Sequence, residues 1–339
     1  MGSSNREAWI DTAKGLLIIL VVIGHAADFG YPMQITKYIF WFHMPAFFAL
    51  SGLLFKPPGD TFSLKAWSIK RARQFMVPYL SFLTIITLYR YYVLFMQQNL
   101  SVSWVLSDLQ HDIIGGRAFH SLMYATFWFI PCLFLTQLLF ILILRYFNST
   151  AQIAIIVFCY LLAHIESWIK PDITIPFSAD TALLAVFYFA LGYYSKQLPD
   201  NKKFGLAALL LSILFIAGDL LNIYNYSLDL KAVKYNHILL DFVIPSVLTY
   251  SVFTVCKLYT KYPGYNFMAP VGICSLTIMY LHIPVNLELH KIFSYNLLLF
   301  IFIGVGIPIA VQKLLFEKTF PTKYLFLGSS ETAKPLTSK

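Results

Sequence analysis

Long apolar runs separated by short polar or charged segments recur along the whole chain. Several runs reach 17 or more residues with at most one charge. A helix needs about 20 apolar residues to cross the hydrocarbon layer of a bilayer. Runs such as LLFILIL are apolar on every side, whereas the strands of a membrane barrel alternate in polarity at every second residue. The pattern therefore predicts an all-α, polytopic membrane protein.

The Pro, Gly and charged boundaries of these runs predict about ten transmembrane helices. Their approximate bounds are 13–29, 37–55, 74–96, 124–144, 151–169, 180–195, 204–223, 238–256, 266–287 and 294–312. We expect one membrane domain over residues 1–320 and a cytoplasmic polar tail over residues 321–339. A cleavable signal peptide is an alternative for the first run, because Arg6 and Lys14 precede a short apolar stretch. The lack of a neutral gap after Lys14 argues against it.

The composition agrees with this class of protein. Of 339 residues, 58% are hydrophobic and 12% are charged, whereas soluble domains average about 45–50% and about 25%. The cysteines lie in or beside apolar runs without paired spacing, so they predict neither a disulfide framework nor a zinc site. They are Cys132, Cys159, Cys256 and Cys274.

The basic residues favour one orientation in the membrane. The net charge is +9, but in a membrane protein the distribution of charge between loops matters more than its sum. With both termini in the cytoplasm, 18 of the 25 Lys and Arg residues fall inside and 6 outside. The positive-inside rule therefore predicts cytoplasmic termini.

Polar side chains within the predicted spans are the first candidates for function, because a charged group near the bilayer centre costs at least about 2.5 kcal/mol. These residues are His25, Asp28, His43, Arg90, Asp219, Asp241 and His282. Lys14 and His25 are eleven residues apart, which places them within about 20° of one helix face and about 16 Å apart along its axis. Pairing of Asp11 with Lys14 at the interface is the structural alternative for that end of the helix.

We expect His25, His43, Arg90 and His282 to converge in the outer half of the membrane. Histidine exchanges a proton near neutral pH, and arginine stabilises an oxyanion or binds a carboxylate. The group suits acyl transfer to a hydroxyl, and it equally suits a proton-coupled transporter. For His282, bonding of a carbonyl freed by Pro284 is a structural alternative.

A basic patch precedes the third predicted span. It consists of Lys56, Lys65, Lys70, Arg71 and Arg73. Such a patch sets topology and meets anionic lipid. It also suits a phosphate-binding site at a cytoplasmic mouth, because guanidinium groups bind phosphate oxygens in bidentate fashion.

Several segments of the sequence resemble the acyltransferase 3 family, especially its branch of fucose 4-O-acetylase-like acetyltransferases. The segments are REAWIDTAKGLLIILVVIGHA at 6–26, FHMPAFFALSGLLF at 42–55, KRARQFMVPYL at 70–80, FWFIPCLF at 127–134, CSLTIMYLHIPVN at 274–286 and, more weakly, FSADTALLAVFYFALGYY at 177–194. They occur in family order over nearly the whole chain. The resemblance implies a ten-helix membrane enzyme that transfers acyl groups, usually from cytoplasmic acetyl-CoA, to glycan hydroxyls at the outer face.

The family's pattern of a basic residue, ten residues and a histidine falls on Lys14 and His25. Its basic loop motif, with three-residue spacing, falls on Lys70 and Arg73, with Arg71 between them. We therefore expect Lys70, Arg71 and Arg73 to bind the phosphates of acetyl-CoA, with help from Lys14, and His25 to act at the thioester. His25 would either deprotonate the acceptor hydroxyl or carry the acetyl group itself.

Weaker assignments complete the expected site. Asp28 is a candidate to orient a histidine, and acceptor or oxyanion roles fall to His43, Arg90, Trp128 and His282. For Trp128, helix packing or an interfacial aromatic belt is the alternative.

The expected partners follow from the resemblance. They are membrane lipid, acetyl-CoA as a substrate and a glycan acceptor such as O-antigen of lipopolysaccharide, capsular polysaccharide or a lipid-linked precursor. We expect no permanently bound cofactor, metal or nucleic acid. A homodimer is left open, and the expected location is a bacterial inner membrane. A flippase or transporter for a lipid-linked glycan or anion is the competing function, and a catalytically inactive scaffold is a third.

Overall fold

The computed structural model describes residues 4–31, 34–59, 62–99, 101–119, 121–169, 174–235, 237–262 and 267–328. Helices make up most of these ranges, and a two-stranded hairpin interrupts them. The helices are α1 (Ser4–Gly24), α2 (Ile35–Phe40), α3 (His43–Leu54), α4 (Leu64–Met96), α5 (Val102–Ile114), α6 (Phe129–Tyr146), α7 (Ser149–Ile169), α8 (Thr181–Tyr194), α9 (Lys202–Leu220), α10 (Ile238–Tyr259), α11 (Met268–Ile273), α12 (Ser275–His290), α13 (Leu297–Val311) and α14 (Phe320–Leu327). The strands are β1 (Leu228–Asp229) and β2 (Lys234–Tyr235).

Eight helical segments in the described ranges are long and apolar enough to cross a bilayer. They are Ala8–Phe29, Leu64–Met96, Leu122–Tyr146, Ser149–Ile169, Pro176–Tyr194, Lys202–Leu220, Ile238–Tyr259 and Leu297–Phe316. The all-α, polytopic prediction is confirmed. The predicted spans 37–55 and 266–287 differ from the other eight, because each is broken into two short helices. The breaks lie at Trp41–Phe42, between α2 and α3, and at Cys274, between α11 and α12.

Helix α1 lies at the centre of the molecule, where it contacts α2, α3, α10, α11, α12 and α13. Glycines allow its closest approach. A side chain at Gly15 would overlap the backbone of Met268, and one at Gly272 would overlap the backbone of Asp11. Small residues let membrane helices approach closely and pack through dispersion contacts. The four cysteines are buried and unpaired.

Helix α4 begins before the predicted span and corrects the prediction of a basic loop. It starts at Leu64, where the side chain of Ser63 accepts a hydrogen bond from the amide of Ala66, and it has 33 residues. A helix of that length extends about 50 Å, well beyond a hydrocarbon layer of about 30 Å. Lys70, Arg71 and Arg73 therefore lie on the first turns of a continuous helix.

Two elements of the structure were not predicted. Helix α5 follows α4 and lies outside the eight candidate spans. The β1–β2 hairpin joins α9 to α10. Helix α14 lies at the start of the expected polar tail and packs on α4, and its Phe326 stacks on Phe316 of the segment after α13. The remainder of the expected tail lies outside the described residues.

Candidate active site

A cavity of about 610 Å³ lies among the helices of the bundle. Small-molecule sites typically occupy about 300–1,000 Å³, so the space suits a substrate. Lys14 and Gln74 line one part of it, and Asp28, Asp229 and Lys231 line another. Because Lys14 and Asp28 are fourteen residues apart on one helix, the lining extends about 20 Å along α1. The cavity thus follows α1 over much of its length.

One stripe of the first helix faces this cavity. It comprises Lys14, Ile18, Val21, His25 and Asp28, which recur at intervals of three or four residues. That interval is the period of one helix face. The predicted alignment of Lys14 with His25 is therefore present. Lys14 also pairs with Asp11 at 3.0 Å, so it combines the interfacial ion pair with a position in the cavity wall.

His25 forms a histidine–carboxylate pair with Asp28. The helix tightens into a 3-10 turn over His25–Phe29, which ends at Gly30 with φ of 83° in the left-handed region. This turn brings His25 Nδ1 to 2.8 Å from Asp28 Oδ2. A carboxylate only accepts hydrogen bonds, so Nδ1 carries the proton and donates it, which leaves the Nε2 lone pair to act as a base.

Two more histidines surround the same region. The ring of His282 lies 5.4 Å from that of His25, measured between centroids. His43 lines the cavity, and its Nδ1 donates to the carbonyl oxygen of Ile39 at 2.8 Å. His282 Nδ1 donates to the carbonyl of Ile278 at 2.8 Å, whereas its Nε2 is buried without a hydrogen-bond partner among the described residues. Pro284 frees the carbonyl of Tyr280, four residues earlier, because proline has no amide hydrogen. His282 bonds the carbonyl of Ile278 instead, so it does not satisfy the freed carbonyl.

Breaks in the helices coincide with the cavity wall. His25 begins a 3-10 turn, His43 follows the break between α2 and α3, and Ser275 follows the break between α11 and α12. Trp128 precedes the start of α6, and all four residues line the cavity. Irregular backbone at membrane depth is tolerated only where protein or a water-filled cavity satisfies its polar groups. The breaks in these helices therefore lie where the helices border the cavity.

The expected donor-binding residues lie beside the cavity and do not line it. Lys70 and Arg73 are exposed on α4. Arg71 is half-buried over the ring of Trp67, and its guanidinium donates to Gln74 Oε1 at 3.0 Å. Gln74 itself lines the cavity. Of the three basic residues, Arg71 is therefore the one in direct contact with the cavity wall.

Arg90 does not lie with the histidines of the cavity. Its guanidinium binds Asp108 at 3.1 Å and the hydroxyl of Tyr124 at 2.9 Å, and it lies over the ring of Trp104. This arrangement ties α5 to α4 and leaves Arg90 outside the cavity lining. Trp128, in contrast, lines the cavity with a buried side chain, so it does not belong to a lipid-facing belt.

The other buried acids also have structural partners. Asp219 pairs with Lys37 at 2.7 Å, and Asp241 pairs with His164 at 3.0 Å. Within the described residues, no group of three or more His, Cys, Asp and Glu is arranged to hold a metal ion.

Sequence reasoning missed several residues of the cavity wall. Gln74, Ser275, Asp229 and Lys231 all line it. Ser275 sits inside one of the quoted segments, next to a helix break that hydropathy does not reveal. Asp229 and Lys231 belong to a short connection between two spans, and their position depends on tertiary contacts of the hairpin. The sequence carries no local signal for them.

The fold and the cavity define a polytopic membrane protein with a histidine–carboxylate pair in the wall of its cavity. A profile described as an acyltransferase domain, that of the acyltransferase 3 family, matches residues 7–315. The chain therefore belongs to the acyltransferase 3 family.

Two curated relatives share part of this sequence. One is the nodulation protein NolL of Mesorhizobium japonicum (strain LMG 29417 / CECT 9101 / MAFF 303099), 34% identical over 155 residues, which are 43% of this chain and 38% of the relative. The other is the nodulation protein NolL of Sinorhizobium fredii (strain NBRC 101917 / NGR234), 29% identical over 137 residues, which are 38% of this chain and 34% of the relative. The matched part is thus well under half of each relative's length. No solved structure matches the chain.

Proposed function

We propose that this protein is an O-acetyltransferase that moves an acetyl group from cytoplasmic acetyl-CoA to a hydroxyl of a cell-surface glycan or its lipid-linked precursor. The observation that carries the proposal is the continuous cavity that joins Lys14 and Gln74 to the His25–Asp28 pair. Membership in an acyltransferase family supports the reaction type. The relatives come from bacteria, which supports a location in a bacterial inner membrane.

The donor would enter where α4 meets the cavity. Arg71, together with Lys70 and Arg73, would bind the phosphates of coenzyme A through charge-assisted hydrogen bonds. The acetyl-pantetheine arm would then extend past Lys14 and along the cavity-facing stripe of α1 toward His25. This path keeps the charged part of the donor near water and places the thioester in the partly enclosed interior.

Transfer would depend on the Nε2 atom of His25. As a general base, it takes the proton of the acceptor hydroxyl while the hydroxyl oxygen attacks the thioester carbonyl carbon. The tetrahedral intermediate collapses, the carbon–sulfur bond breaks, and the imidazolium returns the proton to the coenzyme A thiolate. In a covalent route the same Nε2 first attacks the carbonyl, the carbon–sulfur bond breaks and coenzyme A leaves as the thiolate. The acceptor hydroxyl then attacks the acetyl group, the nitrogen–carbon bond breaks, and the thiolate takes the hydroxyl proton. In both routes Asp28 orients the ring and stabilises its positive form.

The test is release of free thiol from acetyl-CoA by detergent-purified protein mixed with cell-envelope glycans. His25→Ala should abolish turnover and retain coenzyme A binding, whereas the Arg71→Ala/Arg73→Ala variant should lose binding. Two variants at exposed positions outside the cavity lining are the controls. His237→Ala removes an imidazole ring, as His25→Ala does, and Lys202→Ala/Lys203→Ala removes two positive charges, as the double arginine variant does. Wild-type protein that neither binds nor consumes acetyl-CoA would refute the donor assignment and favour a transporter.

A further inference from the structure

The hairpin between α9 and α10 is a fixed wall of the cavity. Its strands pair antiparallel, with Asp229 opposite Lys234. The indole of Trp41 donates to the carbonyl of Tyr226 at 3.0 Å, just before β1. The hydroxyl of Ser167 accepts from the amide of Tyr235, in β2, at 3.0 Å. These bonds attach the hairpin to two different parts of the bundle, so the side chains that it directs into the cavity are held in place.

Two charged side chains of this hairpin, Asp229 and Lys231, line the same cavity as His25 and Asp28. Lys231 is half-buried, and it makes no hydrogen bond or ion pair with any residue that the structure describes. Burial lowers the pKa of its ammonium group, and the charges of Asp229 and Asp28 oppose that shift. Asp229 Oδ1 accepts from the amide of Ala232 at 2.9 Å, which leaves its second oxygen for a ligand.

The charge balance of this region indicates the kind of ligand that it binds. The charged groups that face Lys231 are the carboxylates of Asp28 and Asp229, so two negative charges surround one positive charge. The other lysine of the cavity wall, Lys14, lies about 20 Å from Asp28 along α1. An anionic ligand would be repelled by two carboxylates. A sugar hydroxyl, in contrast, donates to a carboxylate and accepts from an ammonium group.

We propose that Asp229 and Lys231 form an acceptor subsite that binds neighbouring hydroxyls of an uncharged sugar and presents a third hydroxyl to His25. This inference rests on the proposed acetyl transfer. It assigns the choice of acceptor to the hairpin, at the opposite end of the cavity from the donor-binding helix. Partly enclosed charged hydrogen bonds of this kind contribute more than neutral ones, so loss of either group weakens acceptor binding about tenfold or more.

The test uses radiolabelled acetyl-CoA and envelope polysaccharide from the source organism, stripped of its esters by mild alkali. Asp229→Asn and Lys231→Met should each raise the apparent KM for polysaccharide by about tenfold or more, with kcat and coenzyme A binding close to wild type. Lys234→Met is the matched control, because Lys234 is exposed on the same hairpin and does not line the cavity. Tandem mass spectrometry of the product should place the acetyl group on a sugar without carboxylate or phosphate.

The outcomes separate this inference from the proposed function. If the Asp229→Asn and Lys231→Met variants label polysaccharide as well as the wild-type protein does, the subsite is overturned. An acetyl group found on a charged sugar also overturns it. Loss of coenzyme A binding in both variants shows a structural role and also overturns it. Absence of labelling by the wild-type protein, despite correct folding, refutes the proposed acetyl transfer itself.

Discussion

Three histidines lie close to one cavity, yet their hydrogen bonds give them different chemistry. His43 and His282 each donate Nδ1 to a backbone carbonyl, whereas His25 donates Nδ1 to the carboxylate of Asp28. Only the carboxylate carries a full negative charge, so it alone strongly stabilises a ring that gains a proton. His25 is therefore the histidine best suited to accept a proton during transfer.

Asp28→Asn tests this difference at the level of one atom. We expect kcat for acetyl transfer to fall about tenfold to a hundredfold, because the amide orients the ring without a charge to stabilise imidazolium. KM for acetyl-CoA should stay within about twofold of wild type, since Asp28 lies at the far end of the stripe from Lys14. Asp200→Asn, at an exposed position outside the cavity lining, is the control. An unchanged kcat would show that Asp28 has no part in the step.

The site residues that sequence could locate are those on regular helix. The spacing of Lys14 and His25 was enough to place both residues on one helix face, because α1 continues from Lys14 to the residue before His25. Arg90 was misplaced because its partner Asp108 belongs to α5, an element that the apolar pattern does not reveal. Lys231 was missed because hydrogen bonds from Trp41 and with Ser167, distant in sequence, set the position of its hairpin.

At the scale of elements, the contact between α3 and α8 depends on two glycines. A side chain at Gly52 would overlap the carbonyl of Phe189, and one at Gly192 would overlap the carbonyl of Ala49. We expect Gly52→Ala to destabilise the protein by about 1–3 kcal/mol or more, since backbone cannot move aside as a flexible side chain does. Thermal unfolding in detergent, followed by size-exclusion chromatography, measures the loss.

Gly306→Ala is the matched control for that substitution. Gly306 is also helical, but an added side chain there would meet atoms of Phe302 only at 4.0 Å. Alanine stabilises a helix relative to glycine, so this variant should unfold at or slightly above the wild-type temperature. Equal melting temperatures for Gly52→Ala and wild type would contradict the close packing of α3 on α8.

Helix α5 should make stability depend on pH. Burial, together with the nearby charge of Asp108, raises the pKa of Asp112 to about 6 from 3.8. Because the folded-state pKa is the higher one, the protonated acid favours folding, and that contribution is lost as pH rises from about 4 through about 6. Asp112→Asn should therefore stabilise the protein above pH 6 by on the order of 1 kcal/mol, after allowance for solvent screening.

The measurement for Asp112 is the melting temperature of wild type and Asp112→Asn in detergent at several pH values between 4 and 7.5. The two curves should converge at the acidic end and separate near neutral pH. Asparagine keeps an oxygen to accept the hydrogen bond from Thr87, so loss of that bond does not mask the effect. A constant difference at every pH would show that ionisation of Asp112 is not its cause.

The apolar pattern located the elements well and their interruptions poorly. Pro45 lies in the second predicted span, but the helix break comes before it, at Trp41–Phe42, and Pro45 falls in the first turn of α3. Proline is tolerated there because the first turn has no intrahelical acceptor for its missing amide hydrogen. The break at Cys274 arises where α11 packs against α1, a tertiary contact that hydropathy cannot report.

At the scale of the whole molecule, the proposed transfer requires that the two ends of the cavity face different compartments. The proposed donor-binding helix, α4, and the proposed acceptor hairpin both border this cavity, with Gln74 on α4 and Lys231 on the hairpin. The excess of basic residues predicts that the Gln74 end faces the cytoplasm, where acetyl-CoA is made. The proposed reaction therefore requires one particular orientation of the chain.

Cysteine labelling measures that orientation directly. The native cysteines are buried, so wild-type protein should react little with a membrane-impermeant maleimide and serves as the background. Lys65→Cys and Lys234→Cys place single exposed thiols on α4 and on β2. On sealed spheroplasts we expect Lys234→Cys to be labelled at once and Lys65→Cys only after permeabilisation, with a difference of about tenfold in labelled fraction, because a charged reagent crosses the hydrocarbon layer very slowly. The reverse pattern would put the basic end of α4 outside, away from cytoplasmic acetyl-CoA, and would refute both the predicted topology and the proposed path of the donor.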